Sequence, residues 1–184
     1  MVDLSALPRL LAAADWPGAE RMLRRAAAER RAPAAVHYNL AKVLVEGGKG
    51  RQAGAWFRKA VTAAPDHAAA WFEYGRWAVA AQDLPLAAAA FGKAAALAPD
   101  DDDAWRNLGR VALRLGQWSA GLAAWERLSP DDPEARAGRY RARAELGRTD
   151  MAEAQTLLQA DRTGLALKAV ARTGRGALPF RISD

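Results

Sequence analysis

One pattern of residues recurs at a fixed interval along this chain, and it limits what the chain can fold into. In the middle copy, residues 68–101, the recurring positions hold Trp71, Tyr74, Gly75, Ala87, Phe91, Ala94 and Pro99. Moving one interval forward gives Trp105, Leu108, Gly109, Gly121, Trp125, Leu128 and Pro133, and moving one back gives His37, Leu40, Ala41, Ala53, Phe57, Ala60 and Pro65. Such a period indicates one small unit repeated along the chain, because each unit buries its apolar face only against its neighbours.

The order within each copy is an early aromatic residue, a Leu-Gly step, a small residue, a second aromatic residue and a closing proline. With an interval of about 34 residues, this order resembles the tetratricopeptide repeat (TPR) family. The resemblance covers residues 34–160 well and residues 1–33 weakly. It implies an all-α fold, a right-handed superhelical solenoid of antiparallel helix pairs, with about three good repeats flanked by degenerate capping repeats.

Composition agrees with an all-α fold. Apolar residues make up 51% of the 184 residues, alanine dominates, and the alternating β-branched runs that strands need are missing. The chain has no cysteine, so disulfides, a thiol nucleophile and a thiolate metal site are excluded. Neither a basic leader followed by an apolar stretch nor an apolar run long enough to cross a bilayer is present, and we therefore expect a cytoplasmic protein without a membrane span.

The period predicts where the repeats begin and end. The predicted divisions are an N-terminal degenerate cap at 1–33, repeats at 34–67, 68–101 and 102–132, a shortened repeat at 133–160, a capping helix at 161–172 and a flexible tail at 173–184. Helices are expected at 3–14, 17–31, 34–45, 51–64, 136–146 and 151–160. Asp3 or Ser5 is the predicted N-cap of the first helix, and Asp66 is the predicted N-cap of the first helix of the middle repeat.

The aromatic and small residues of the period are predicted to form the core. The aromatic members are Phe57, Trp71, Phe91, Trp105, Trp118 and Trp125, and His37 is expected to pack in the same position. The small members, Ala53, Gly75, Ala87, Gly109 and Gly121, are expected where the two helices of a pair approach most closely, because a larger side chain would overpack there. The pattern assigns no role to Trp16, Trp56 and Trp77.

The resemblance further implies that the first helix of each repeat lines a concave groove that binds a protein or peptide partner. The groove-facing residues that it implies are Tyr38, Asn39, Lys42, Val45, Glu46, Phe72, Glu73, Arg76, Val79, Arg106, Asn107, Arg110, Leu113, Arg114, Arg141 and Glu145. Lys42, Arg76 and Arg110 are each separated by one period and are predicted to stack as a basic ladder. Arginine binds carboxylates through bidentate hydrogen bonds, so the predicted ligand is an extended or helical peptide of acidic character.

Some relatives clamp a partner's C-terminal carboxylate with lysine, arginine and asparagine, and Asn39 and Asn107 stand beside the ends of the ladder. Glu73 replaces the middle asparagine, which makes this similarity partial. The alternative is that these are solvated surface residues, with Glu73 paired to Arg76 or Arg106.

Charge raises a second class of partner. The chain carries 27 basic and 21 acidic residues, a net charge of +6 and a pI near 10.2. The surplus is concentrated at 20–31, at 134–148 and in the tail 162–184. Nucleic acid is therefore the less favoured alternative partner, because a general bias of the sequence toward arginine is the favoured explanation of the surplus. A further alternative is an accessory or oligomerisation arm of a larger enzyme complex. Another is a homo-oligomer formed through the chain ends or through the tail residues Leu178, Phe180 and Ile182.

Catalysis, cofactors and metals are not expected. The motifs of zinc proteases, phosphate-binding loops, serine hydrolases and dinucleotide-binding folds are missing. The run of aspartates at 100–103 precedes a predicted helix, where negative charge complements the helix dipole. The function predicted from sequence is thus a non-catalytic scaffold for protein interaction.

Overall fold

The computed structural model describes residues 2–160 and 164–172. Those residues form helices joined by short turns and contain no strand, so the predicted all-α fold is confirmed. The chain divides between Ala98 and Pro99 into two compact units. The first unit holds α1 (Leu7–Ala12), α2 (Trp16–Ala27), α3 (Ala34–Glu46), α4 (Ala53–Ala63), α5 (Ala68–Ala80) and α6 (Leu84–Leu97). The second holds α7 (Asp102–Arg114), α8 (Trp118–Trp125), α9 (Pro133–Glu145), α10 (Met151–Ala160) and α11 (Leu165–Ala171).

In the first unit each helix packs mainly against the helices next to it in sequence. The core is centred on Leu23, Leu40, Leu44 and Phe57, which are almost fully buried. Gly75 lets α5 approach α6, because a Cβ atom at this position would lie 2.8 Å from the ring of Phe91. The predicted close approach at the small residues is confirmed here, and Ala53 and Ala87 are completely buried.

In the second unit α8 packs between α7 and α9, and α9 also contacts α11. Trp125 is buried at the centre of this packing and fills the space left by glycines on both flanking helices. Phe57, Phe91 and Trp125 are core residues as predicted. Trp71, Trp105 and Trp118 are only half-buried, because they lie at the edge of the packing rather than inside it.

Two predicted helix caps are wrong. The carboxylate of Asp3 accepts hydrogen bonds from the backbone N–H and hydroxyl of Ser5, and α1 begins only after Ala6 without a side-chain cap. At α5 the cap is His67 rather than Asp66, because the first helical hydrogen bond ends on the carbonyl of His67. Nδ1 of His67 accepts from the N–H of Ala70 at 3.1 Å.

Most other helix limits agree with the period to within a few residues. The largest differences are at the start of α1, which begins at Leu7 rather than at residue 3, and at the end of α2, which ends at Ala27 rather than at residue 31. Gly50–Gln52 form a 3-10 turn, so α4 begins at Ala53 rather than at residue 51. Within the segment 161–172, predicted as a capping helix, Leu165–Ala171 form α11, and the predicted tail at 173–184 lies outside the described residues. Among the helices that the structure describes, none is both long and apolar enough to cross a lipid bilayer.

Candidate functional site

The first unit contains a pocket of about 690 Å³ between α3 and α5. Its apolar walls come from Val45, Phe57, Trp77, Ala80 and Ala81, and its polar walls come from Glu46, Gly50, Arg51, Glu73 and Arg76. Four of these, Val45, Glu46, Glu73 and Arg76, belong to the groove set expected from sequence. We call this cavity the α3–α5 pocket.

Glu73 lies between two of the predicted ladder residues. Its carboxylate accepts from Lys42 Nζ at 2.7 Å and from Arg76 Nη1 at 3.2 Å. Lys42 and Arg76 are therefore brought together, but around a carboxylate that the chain itself supplies. A carboxylate ligand at this place would have to displace Glu73, which weakens the electrostatic basis for an acidic ligand in the first unit.

A smaller pocket of about 270 Å³ lies on the other side of α3. Its walls include the predicted groove residues Tyr38, Asn39 and Lys42, together with Leu11 and Trp16. Burial raises the pKa of the Tyr38 hydroxyl, and the ring contacts Phe57 edge-on with centroids 6.5 Å apart. Phe72 lines neither pocket and is instead half-buried, with its ring edge-on to Phe91 at 5.6 Å.

In the second unit the predicted groove arginines of α7 are bound to carboxylates near the start of α9. Arg106 Nη2 lies 2.7 Å from Asp132 Oδ2, and Arg106 Nη1 lies 2.8 Å from Asp103 Oδ1. Arg110 forms a bidentate pair with Glu134, with both distances 2.6 Å. Hydrogen bonding to Asp132 raises the pKa of Arg106, so this guanidinium stays charged. The Arg106–Asp132 and Arg110–Glu134 pairs tie α7 to the start of α9, whereas the Arg106–Asp103 pair lies within α7.

The remaining residues of the predicted groove have varied surroundings. The side-chain amide of Asn107 donates to the carbonyl of Asp103 in its own helix at 2.8 Å, and Arg114 is exposed. Arg141 lies over the ring of Trp118, with its guanidinium carbon 5.7 Å from the centroid. Leu113 is wrong as a groove residue, because it is only 7% exposed and packs against Gly121.

The tetratricopeptide repeat family model matches residues 10–76 and 78–144, well over half of the chain. The chain belongs to the TPR family. Proteins of this family are protein-interaction scaffolds. The comparison with curated proteins returned no significant match.

Solved structures of TPR proteins share the fold. A crystal structure of MamA is 20% identical with a TM-score of 0.71, covering 91% of this chain and 96% of that one. YrrB, described as a TPR protein with an unusual peptide-binding site, is 18% identical with a TM-score of 0.73, and the match covers 89% of this chain and 87% of YrrB. MamA from Desulfovibrio magneticus RS-1, from residue 41 to its end, is 20% identical with a TM-score of 0.65, covering 83% and 89%.

Two of the three tryptophans of this TPR protein that the period left unassigned line pockets of the first unit. Trp77 lines the α3–α5 pocket, and its indole N–H donates to the carbonyl of Gly50 at 2.7 Å. Its ring occupies the space beside Gly54, where a Cβ atom would lie 2.2 Å away. Trp16 lines the smaller pocket. In the sequence, these tryptophans differ from the others only in lying outside the recurring positions. That difference does not predict which helices they contact.

A second indole contact repeats with the TPR period. Trp71 Nε1 donates to the carbonyl of Pro65 at 2.9 Å, and Trp105 Nε1 donates to the carbonyl of Pro99 at 2.8 Å. Each bond joins the first turn of a helix to the proline that closes the preceding repeat. The early aromatic position therefore holds the turn between repeats as well as contributing apolar surface.

Proposed function

We propose that this TPR protein is a non-catalytic interaction scaffold whose first unit binds a peptide segment of a partner protein at the α3–α5 pocket. The single observation that carries the proposal is the pocket itself. It offers about 690 Å³ with aromatic and aliphatic walls, which suits an apolar side chain of a bound segment. Val45 on its edge is 40% exposed although it is aliphatic, and a bound segment would cover it.

In this proposal the charged residues of the pocket orient the ligand, whereas the basic ladder expected from sequence would bind its acidic groups. Glu73 pairs with both Lys42 and Arg76 and cancels one of their two positive charges, while Glu46 and Arg51 add one charge of each sign. A rim of mixed charge orients a ligand and excludes wrong partners more than it adds affinity. The expected ligand of the first unit is therefore a segment with an apolar anchor rather than a strongly acidic one.

YrrB, which shares this fold, is described as having a peptide-binding site, and this similarity of fold supports the proposal. We assign no reaction to the pocket, because its walls supply apolar contacts and paired charges, the features of a binding surface. Binding of nucleic acid through the basic segments stays an alternative prediction. A steep loss of affinity between low and physiological salt would favour it.

A blocking substitution tests the pocket directly. Peptides are selected from a random library displayed on phage against the full chain, and their affinities are measured by fluorescence anisotropy. Ala80 is exposed on the pocket wall, and Ala80→Arg fills the opening with a long charged side chain. Ala96→Arg is the matched control, because Ala96 is exposed on α6 outside the pocket and the change in charge is identical.

We expect the selected peptides to bind wild type and Ala96→Arg equally, and to bind Ala80→Arg at least about tenfold more weakly. Circular dichroism checks that both variants remain folded. Selection of no binding peptide, or equal binding to all three proteins, would refute the proposal.

A further inference from the structure

The second unit contains a pocket of different chemistry between α9 and α10, with a volume of about 310 Å³. Three arginines of α9 line it, Arg136, Arg139 and Arg143, and they come from the arginine-rich segment 134–148. Opposite them on α10 stand Glu153 and the apolar side chains of Leu157 and Ala160. We call this cavity the α9–α10 pocket. It uses none of the residues of the α3–α5 pocket.

The positive charge of the α9–α10 pocket is only partly compensated. Arg143 forms an ion pair with Glu153. Arg139 donates to the backbone carbonyls of Trp125 at 3.0 Å and Pro130 at 3.1 Å, which fixes its position but leaves its charge uncancelled. Within 2–160 and 164–172, no carboxylate pairs with Arg136. Among the described residues that line this small cavity, three cations therefore face one anion.

Two further observations indicate that these guanidinium groups are under-satisfied. The Nε atoms of Arg136 and Arg143 are buried and have no acceptor among the described residues, whereas buried donors normally find one. Burial lowers the pKa of Arg139, and the positive charge of Arg143 and Arg136 lowers it further, against the opposing effects of Asp132 and Glu126. The arginines are thus close enough to repel one another, and an added anion would relieve that repulsion.

We propose that the α9–α10 pocket binds an acidic segment of a protein partner, with carboxylates of that segment on Arg136 and Arg143. Glu153 indicates the chemistry, because it is a carboxylate that already pairs with Arg143 across the pocket. Positions 136 and 143 are two helical turns apart, roughly 10 Å along α9, so the acidic groups of the ligand are separated by a similar distance. Leu157 and Ala160 provide an apolar wall for the aliphatic stems of acidic side chains. The small cavity does not provide the long basic strip that a nucleic-acid backbone requires.

The test measures binding of a fluorescein-labelled octaglutamate peptide to the full chain at low salt by fluorescence anisotropy. The variant Arg136→Gln/Arg143→Gln removes the two proposed contacts. The variant Arg25→Gln/Arg31→Gln removes the same charge from exposed arginines of the first unit and is the matched control. We expect the first variant to bind about tenfold more weakly than wild type, and the control to stay within about twofold, since charge-assisted bonds to arginine are local.

A third variant is expected to bind octaglutamate more tightly. Glu153→Gln keeps the size of the side chain but removes the carboxylate that competes for Arg143. We expect it to bind octaglutamate about threefold more tightly than wild type, because the ligand no longer displaces an internal anion. Thermal unfolding confirms that the variants fold, and a merely structural role for the arginines would produce no gain of this kind.

Several outcomes would overturn the proposal. These are undetectable binding of octaglutamate to wild type, an equal loss in the two arginine double variants, and equal binding of octaglutamine. Complete displacement by an equal concentration of inorganic phosphate would assign the pocket to small oxyanions instead. Tighter binding of a single-stranded oligothymidylate, lost in Arg136→Gln/Arg143→Gln, would assign it to nucleic acid.

Discussion

Gly138 on α9 lies directly against the indole of Trp125 on α8, so that a Cβ atom at position 138 would be 2.5 Å from Trp125 Cε2. Gly109 on α7 meets the same ring, with a corresponding distance of 2.6 Å to Trp125 Cε2. The indole therefore occupies the space between two glycines on different helices. This contact determines how closely the three helices pack in the second unit.

Replacing Gly138 by alanine should destabilise the protein although alanine favours helices. The added methyl group would overlap a buried ring that has no room to move, and overpacking of this kind costs ~1–3 kcal/mol. The free energy of unfolding in urea measures the effect. Gly92→Ala is the control, because nothing lies within 4 Å of a Cβ atom there and α6 should gain about 0.5–1 kcal/mol. Equal effects of the two substitutions would contradict the packing described for Trp125.

Replacing Trp77 by phenylalanine should lower the free energy of unfolding by more than the smaller ring alone explains. The reason is that the carbonyl of Gly50 loses its indole donor. A half-buried hydrogen bond contributes about 1 kcal/mol to the free energy of unfolding, and without this bond the turn before α4 is held less firmly. Thermal unfolding compares this variant with Trp56→Phe, whose indole stacks on His37 but has no described hydrogen bond. A larger loss of stability in Trp56→Phe would argue against the importance of the turn contact.

Arg106 should matter more for stability than Arg110 although both are ion-paired. The side chain of Arg106 is 21% exposed and contacts three carboxylates, whereas that of Arg110 is 48% exposed and contacts one. Arg106→Gln is expected to lower the free energy of unfolding by about 1–3 kcal/mol, and Arg110→Gln by less than about 1 kcal/mol. Repeating the measurement in concentrated salt should reduce the effect at Arg110 more, since exposed pairs are screened.

His37 should make stability depend on pH. Its ring stacks on Trp56 with centroids 5.8 Å apart, and burial, followed by the nearby charge of Lys59, lowers its pKa below the ordinary value for histidine. The unfolded chain therefore binds a proton more readily than the folded chain. The contribution of His37 to stability is complete above the unfolded pKa and is lost as the pH falls through the folded pKa.

The measurement compares the free energy of unfolding of wild type and His37→Phe from neutral to mildly acidic pH. The variant should lose less stability on acidification than wild type. The chain has two histidines, so His67→Asn serves as the control, because asparagine still offers an acceptor to the N–H of Ala70. It should retain the contribution of His37. An unchanged pH dependence in His37→Phe would show that another group is responsible.

The repeating helices and most of the core follow from the sequence because they depend on local periodicity. Small residues such as Gly75 recur opposite aromatic residues such as Phe91, and stacking of equal units is the arrangement that buries both. The slip of the period after Pro133 predicts a shortened fourth repeat at 133–160, and that division stays a prediction. The similarity of the chain to the family gave a set of groove residues, several of which do line pockets of the first unit.

The properties of those pockets depend on contacts between residues far apart in the chain. Glu73 and Arg76 lie three residues apart on α5, so their pairing could be proposed from the sequence, but only the approach of α3 to α5 adds Lys42 as a second partner. Likewise, Arg136 and Arg143 form part of a cavity only because α10 folds back against α9. The repeat period determines which helices exist and which faces they bury. The ionic contacts are decided by tertiary packing, because the charge that a groove presents depends on which side chains meet across neighbouring helices.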